Sequence, residues 1–485
     1  MRVFLELLAV SVAIIIVGCS SSTQQEAGDN WLAIVGDDTI TVNQYTYRYE
    51  TAPHTGFGTT ARRDFLDALI IERLLAHISA DTSDRYTALR SQMTAEARVE
   101  SFLIDRIDAE VDVPEAEIRA NVLRAIRTLT VQAWAAPDSL TAARILAAYR
   151  DGTAFARAGN QSLSGAVYLD TVEVKWNTTD PALERLAYSL ELDEAGGPIE
   201  VEGRWWVLRL VRFEQDRIPS ESVYLELGPW VRDALEARQA RARQPEIIAD
   251  AMRGHTMDID PDGWRWLVDA LRKQLDSRDD PALQLPFTAL EESSLRGLDG
   301  TPELDKPLLR VDGPTYTADW TRADVLHRLE VAPKPVLRFD DPRRFEHELH
   351  AHLRWLVEFE VLDELAREAG YETNPRVIRD SRMWSTHLSA REELNRQLSS
   401  ITGVSDDTTA RIGIPTDASA DEQLLALFRD AATREGVRIN TALLDTLSLI
   451  DVPVFVRKRH FPNRPATPLP VGQPWATEID FPPQP

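Results

Sequence analysis

Apolar residues along this chain recur mainly at three- and four-residue spacings, the period of a helix that buries one face. The clearest run covers residues 62–78, where Phe65, Leu66, Leu69, Ile70, Leu74 and Ile78 fall at these spacings. Strand-like runs are shorter and fewer, and the first two, 31–35 and 39–42, enclose a Gly-Asp-Asp turn. The pattern predicts an α+β chain that is mostly α-helical.

The hairpin pattern near the start of the chain returns at about residue 311. Residues 311–317 resemble residues 35–41, and Asp319 takes the place of Asn43, which we predict to cap the helix that follows. A pair of arginines then precedes a long amphipathic helix in both places. We therefore predict that residues 301–400 form a second hairpin-plus-helices unit, a possible repeat of residues 31–111.

Changes in these patterns divide the rest of the chain. We predict a signal peptide at 1–18, a tether at 19–30, a small α/β domain at 112–215, a helical connector at 216–300, a helical C-terminal segment at 401–460 and a proline-rich tail at 461–485. The tail contains eight prolines and little helical periodicity. Such a segment is expected to be extended or disordered.

The N-terminus carries a targeting pattern. Arg2 is followed by an apolar run at 7–17, which is shorter than the ~20 residues that cross a bilayer. Residues 16–19 resemble a bacterial lipobox, which implies lipidation of Cys19; the alternative is an ordinary signal peptide with a chance cysteine. The resemblance implies a lipid-anchored protein of the bacterial cell envelope that faces the periplasm. Ser20 favours the outer over the inner membrane.

Charge and composition exclude some function classes. The chain has 78 acidic and 54 basic residues and a formal net charge of -24, so a nucleic-acid backbone would be repelled. An acidic surface mainly keeps a protein soluble and monomeric. No phosphate-binding loop, dinucleotide fingerprint or serine-nucleophile elbow occurs, and we predict no cofactor. The sequence leaves the oligomeric state open.

Three histidines on one predicted helix suggest a metal site, but their spacing argues against it. At about 100° per residue, His347 and His350 lie about 60° apart, whereas His352 lies about 200° from His350. The three side chains cannot reach one ion, and a two-histidine site would need a further ligand. We therefore predict no metal site, and a packing role for His352.

The segment 112–215 has the element order of a small α/β domain of about 100 residues. The predicted elements are helices at 115–129, 139–149, 153–158 and 181–190 and strands at 130–134, 199–201 and 205–211. A tight Glu202-Gly203 turn joins the last two strands.

Four short motifs in this order resemble the parvulin-type peptidyl-prolyl isomerase domain. They are Gly-Thr-Ala-Phe-Ala at 152–156, Ala-Tyr-Ser-Leu at 187–190, Gly-Pro-Ile at 197–199 and Arg-Trp-Trp-Val-Leu at 204–208. Together with the lipobox and the preceding hairpin, residues 31–213 resemble envelope foldases of the PpiC, SurA and PrsA kind. The resemblance implies helical SurA-like chaperone segments plus a small parvulin-like α/β domain.

The resemblance also locates the positions that carry the family's chemistry. The two active-site histidines of parvulins fall near Ala133 and at Trp206, and a pocket phenylalanine falls at Leu183. No catalytic residue is therefore predicted. Trp134, Trp176, Leu183 and Trp206 are candidates to line a peptide groove, although the tryptophans also suit the core of a small domain.

These features favour a membrane-anchored foldase or chaperone that binds unfolded or nascent envelope proteins and has lost its isomerase activity. Two alternatives remain open from the sequence. The chain is an active prolyl isomerase with a non-standard site, or it is a structural or assembly-factor lipoprotein that binds one partner.

Overall fold

The structure is a computed structural model that describes most of the chain. The described residues are 30–52, 58–79, 84–159, 165–276, 303–332, 342–403, 418–449, 456, 458–461, 465–479 and 481. The predicted signal peptide, Cys19 and nearly all of the tether lie outside them. Within the described part of the chain, no helix combines the length and the apolar character that a bilayer crossing needs.

The fold is α+β and mostly helical, so the fold class predicted from the hydrophobic spacing is confirmed. The chain forms two compact units. One is continuous and consists of Arg106–Ile247, and the other is built from the residues before and after it. We call them the inserted unit and the discontinuous unit.

The elements are numbered in chain order. The N-terminal part contains β1 (Trp31–Val35), β2 (Asp38–Thr41), α1 (Val42–Thr51), α2 (Gly58–Ile78) and α3 (Asp84–Asp108). The middle part contains α4 (Glu115–Ala125), β3 (Arg127–Ala136), α5 (Ser139–Arg150), β4 (Val167–Lys175), α6 (Pro181–Ser189), β5 (Ala195–Val201), β6 (Arg204–Gln215) and α7 (Glu221–Ala251). The remaining part contains β7 (Thr256–Ile259), α8 (Pro261–Asp276), β8 (Pro307–Asp312), β9 (Ala318–Thr321), α9 (Arg322–Val331), α10 (Pro342–Glu368), α11 (Pro375–Thr402), α12 (Ala418–Glu435), β10 (Arg438–Ile439) and α13 (Thr441–Thr446).

The hairpin followed by a helix occurs twice in the discontinuous unit, as β1–β2–α1 and as β8–β9–α9. In both copies a threonine caps the helix and closes a capping box, Thr41 with Gln44 and Thr321 with Asp324. The caps predicted at Asn43 and Asp319 were therefore wrong. Asn43 already lies inside α1, and the threonine hydroxyl satisfies the free N–H groups of the first turn instead.

Each hairpin gains a third antiparallel strand from a distant part of the chain, which the sequence pattern did not reveal. The strand orders are β10-β1-β2 and β7-β8-β9. Strand β10 pairs Ile439 with Ala33, and β7 pairs Met257 with Val311. The predicted connector 216–300 is consequently divided, because its first part belongs to the inserted unit while β7 and α8 join the second hairpin.

A buried carboxylate connects four segments of the discontinuous unit. The Glu72 Oε1 atom on α2 accepts a hydrogen bond of 2.6 Å from Arg48 on α1. Its Oε2 atom accepts from the His387 ring on α11 at 3.0 Å and from the backbone N–H of Val471 at 3.1 Å. Arg48 also donates to the carbonyl of Pro468 at 2.9 Å. We call this set the Glu72 network.

The charges of the Glu72 network follow from its geometry. Burial acts to raise the pKa of Glu72, but the Arg48 guanidinium and the hydrogen bond from His387 outweigh it and hold that pKa well below its usual range. Burial lowers the pKa of His387, which keeps its imidazole neutral. The neutral ring donates its Nδ1–H to the Glu72 carboxylate, so the carboxylate and Arg48 form the charged pair.

The proline-rich tail is irregular, as expected, but it is packed rather than free. Its described residues include a short 3₁₀ turn at Gln473–Trp475, and the side chains of Trp475 and Phe481 are buried in the apolar cluster around α2. The Trp475 indole donates to Asp421 at 2.8 Å. The prolines exclude helix, whereas the aromatic side chains supply the apolar surface that anchors the tail.

We expect Glu72→Gln to lower the free energy of unfolding by about 3–5 kcal/mol, because Arg48 would remain buried without its counter-charge. Chemical denaturation followed by circular dichroism measures this loss. The control is Asp430→Asn, which removes a carboxylate from an exposed i,i+4 pair with Arg434 and should cost less than about 1 kcal/mol. Equal losses in the two variants would contradict the role given to the network.

His460 lies in the tail and is buried, and neither ring nitrogen has a hydrogen-bond partner among the described residues. Burial and then the Arg459 cation lower the pKa of His460 to about 4. An unfolded histidine titrates near 6.5, so the unfolded state takes up the proton first as the pH falls. The contribution of neutral His460 to stability is therefore present above pH 6.5 and lost between pH 6.5 and 4.

We expect the melting temperature of the wild-type protein to fall relative to His460→Phe over this pH range. The relative loss should reach at most about 3 kcal/mol of unfolding free energy. The comparison between the two proteins removes the pH dependence that all other groups share. If the melting temperatures of the two proteins changed in parallel from pH 7 to pH 4, burial would not lower the pKa of His460.

Candidate functional site

The inserted unit is built on a four-stranded antiparallel sheet with the strand order β4-β3-β6-β5. The sequence pattern predicted the strands that became β3, β5 and β6, but it did not predict β4. Strand β4 pairs with β3 through a register shift between Val131 and Ala133, which interrupts the alternation of apolar and polar residues on both strands. The sequence of β4 therefore lacks the continuous alternation of apolar and polar residues that predicts a strand.

Neighbouring residues of β3 face opposite sides of this sheet. Trp134 points to the side covered by α5, where it packs with Ile145 and Leu146. Ala133 points to the other side, which is covered by α6. Ala133, the residue near which the first parvulin histidine was predicted to fall, and its neighbour Trp134 therefore belong to two different cores.

The structure brings Ala133, Leu183 and Trp206 together on the α6 side of the sheet. Ala133 is buried, whereas Leu183 and Trp206 are half-buried at the margin of the same apolar cluster. The antiparallel register brings Ala133 and Trp206 close together, since Ala135 lies directly opposite Trp206 and Ala133 lies opposite Leu208. Leu183 joins them because α6 packs against the same cluster. The three residues thus belong to one apolar cluster, and their assignment to parvulin positions stays a prediction.

A row of apolar side chains crosses all four strands on this side. The pairing places Val167 of β4, Ala135 of β3, Trp206 of β6 and Ile199 of β5 side by side. Val167 is 48% exposed and Ile199 is half-buried, so the row reaches the protein surface. We call this row, together with Leu183, the Trp206 face. Val167 and Ile199 were not predicted from the sequence as site residues, because their place in the row follows from the strand register.

Two of the four groove candidates do not lie on the Trp206 face. Trp134 is almost fully buried and donates its indole N–H to the carbonyl of Phe155 at 2.8 Å. Trp176 is buried between α4 and α7 and donates to Asn121 at 3.0 Å. The assignment of these two residues to a groove is corrected, because both indoles fill a core and have their N–H groups satisfied.

The Trp206 face offers apolar contact and no acid or base. The inserted unit contains no histidine. Tyr188 borders the same apolar cluster and donates its hydroxyl to the carbonyl of Arg127 at 2.6 Å. Burial, with a further contribution from the Glu184 carboxylate, raises the pKa of Tyr188 to about 12, so the phenol stays neutral. The surface is suited to hold an apolar peptide, but not to transfer a proton.

Helix α6 is fixed over the sheet by a buried ion pair. Glu184 on α6 accepts two hydrogen bonds of 2.8 Å from the Arg238 guanidinium on α7 and one of 2.6 Å from the backbone N–H of Asn177. The same guanidinium lies over the Trp176 ring at 4.9 Å. These contacts hold the adjacent Leu183 in position beside the Trp206 face.

The histidines of α10 are not gathered into one site. His352 is buried and stacks on the ring of Trp355, which agrees with the packing role predicted for it. His347 and His350 are exposed on the other side of the helix. In the described parts of the chain, no group of three potential ligand side chains has the geometry to hold a metal ion.

Comparisons with known proteins give little further information. No family model matches the chain, and no curated protein matches it. Among solved structures, it is similar to the peptidylprolyl isomerase PrsA from Bacillus cereus, with 17% identity, a TM-score of 0.21, and coverage of 44% of this chain and 88% of that one. It is also similar to the foldase protein PrsA from Streptococcus pneumoniae, with 12% identity, a TM-score of 0.19, and coverage of 44% and 93%. Similarities at this level support no conclusion about function.

Strand β5 lies so close to Trp206 that a side chain at Gly197 would not fit. Gly197 has a φ of +120°, and a Cβ atom there would lie 2.6 Å from the carbonyl oxygen of Trp206. Gly203, with a φ of +73°, has no atom within 4 Å of its Cβ position. The first glycine is therefore required by both conformation and space, and the second by conformation alone.

We expect Gly203→Ala to lower the free energy of unfolding by about 1 kcal/mol, because alanine is disfavoured in the left-handed conformation. Gly197→Ala should cost at least twice as much and should change the near-ultraviolet signal of the tryptophans, because Trp206 must move. Thermal unfolding and circular dichroism test both effects. A Gly197→Ala protein as stable as Gly203→Ala would show that β5 can withdraw from Trp206.

Proposed function

We propose that this protein is a chaperone of the foldase type, anchored in the bacterial cell envelope, that binds unfolded exported polypeptides and lacks prolyl isomerase activity. One observation carries the proposal. The two positions that we assign to the parvulin histidines hold apolar side chains of one cluster, Ala133 in its buried part and Trp206 on the Trp206 face. The surface for binding is kept, and the groups for catalysis are absent from it.

The chemistry of prolyl isomerisation explains why this exchange matters. Rotation about the amide has a barrier of about 18–20 kcal/mol, which a polar site lowers by favouring the twisted amide. Apart from the buried indole N–H of Trp206, the row is apolar and provides no such stabilisation. It can still bury side chains of an unfolded chain, at about 25 cal/mol for each Å² of apolar surface removed from water.

The charge and the predicted targeting signals are consistent with this function. A net charge of -24 opposes self-association while the protein displays apolar surface to clients. Lipidation at Cys19, a periplasm-facing position and an outer-membrane location belong to the proposal as well. Its predicted clients are unfolded or nascent envelope proteins.

Light scattering with a chemically unfolded client tests the function. We expect the wild-type protein to suppress aggregation at a stoichiometric ratio. Val167→Asp should lose at least half of this effect, because it places a charge on the exposed end of the Trp206 face. The control is Ile218→Asp, which changes an apolar side chain that is 83% exposed in the same unit and should behave as wild type.

Each outcome of this experiment has a defined meaning. A wild-type protein that does not suppress aggregation would refute the chaperone function. Equal behaviour of Val167→Asp and Ile218→Asp would remove the Trp206 face as the binding surface. A protease-coupled assay with an Xaa-Pro peptide should show only the uncatalysed rate. Parvulin-like turnover there would favour an active isomerase, and a single dominant partner in affinity capture would favour an assembly factor.

A further inference from the structure

A cavity of about 310 Å³ opens on the discontinuous unit between α1, α2 and α11. Its apolar walls include the buried side chains of Ile40, Leu69 and Met383. Ile378, which is 45% exposed, stands at the rim. Sites for small ligands begin at about this volume and are lined mostly by apolar groups with a few polar ones. The cavity is therefore large enough to accept one bulky side chain.

All of the charged side chains in the lining are cations, and the other polar ones are Gln44 and Tyr47. Four arginines line the cavity, and no carboxylate does. Three of the arginines are already paired with carboxylates that do not line the cavity. Arg48 pairs with Glu72 at 2.6 Å, Arg73 pairs with Asp38 at 3.0 Å, and Arg379 pairs with Asp380 at 2.8 Å. Arg379 also covers the ring of Tyr47 at 3.9 Å.

The fourth arginine, Arg382, makes no ion pair with any described residue, and its side chain is exposed at the rim. It follows Arg379 by one helical turn on α11 and precedes the buried Met383. The cavity thus has one cation more than its counter-charges, in a protein whose net charge is -24. A guanidinium beside an apolar cavity is complementary to a carboxylate beside an apolar side chain.

We propose that this cavity binds client segments in which a large apolar side chain is adjacent to a carboxylate. The apolar side chain would enter between Leu69 and Met383, and Arg382 would pair with the carboxylate. This inference rests on the proposed chaperone function, and it names a class of substrate for it. The carboxylate has two possible sources, the C-terminus of a client or an internal acidic residue, and the shared chemistry is the same for both.

Fluorescence anisotropy of the full protein with four labelled hexapeptides tests the inference. One peptide ends in phenylalanine with a free carboxylate, and the second is its amide. The third has an internal Phe-Asp pair and a C-terminal amide, and the fourth has Phe-Asn instead. We expect at least one carboxylate peptide to bind about tenfold more tightly than its neutral counterpart, as charge-assisted hydrogen bonds allow. The peptide that shows the preference identifies the source of the carboxylate.

Two variants of α11 separate the site from general charge effects. Arg382→Gln should abolish the preference for the carboxylate and leave the neutral peptides unchanged. Arg376→Gln removes the same charge from the same helix, at an exposed residue that pairs with Asp105 outside the cavity, and should retain the preference. Ile378→Ser should weaken all four peptides, because it removes apolar surface from the rim.

The inference is overturned if no peptide binds, if acid and neutral peptides bind equally, or if both arginine variants lose the preference to the same extent. If aggregation is still suppressed in the scattering assay, such a result refutes only the assignment of this cavity. If suppression is absent as well, the proposed function itself is refuted.

Discussion

The discontinuous unit depends on one buried carboxylate. Glu72 accepts hydrogen bonds from Arg48, His387 and the backbone of Val471, so segments separated by several hundred residues meet at one side chain. A buried charge is costly unless it is paired and hydrogen-bonded, and removal of one partner leaves the other charge buried without compensation. The network therefore specifies how α1, α2, α11 and the tail fit together, beyond what apolar packing alone would define.

Local periodicity predicted most helices, the first hairpin and the mostly helical class, because each of these is encoded within a short window. The repeat predicted the second hairpin, although its strand β9 follows the residues 315–317 that matched the first copy. The third strands of the two hairpins could not be predicted in the same way. Strand β10 is two residues long and β7 is four, so neither contains enough alternation to distinguish it from a loop. Their partners are far away in sequence, and β1 and β8 accept them only when the tertiary structure has formed.

The candidate site was partly predictable for a similar reason. Motif order assigned Ala133, Leu183 and Trp206 to one site. The pairing of β3 with β6 and the packing of α6 place the three residues in one apolar cluster. The position of Val167 at the exposed end depends on a strand register that contains a bulge. The alternation of apolar and polar residues does not predict where that bulge lies. Trp134 shows how sensitive such assignments are, since a shift of one residue moves a side chain to the opposite face of the sheet.

The buried tail has a consequence for the order in which the protein forms. The inserted unit is continuous, so all of its residues are available once residue 247 has been synthesised. The discontinuous unit lacks the hydrogen bonds of Pro468 and Val471 and the side chain of Trp475 until nearly 230 further residues have followed. The apolar faces of its first helices therefore stay uncovered until the tail has been synthesised. During its own synthesis this protein thus resembles the unfolded chains that it is proposed to bind.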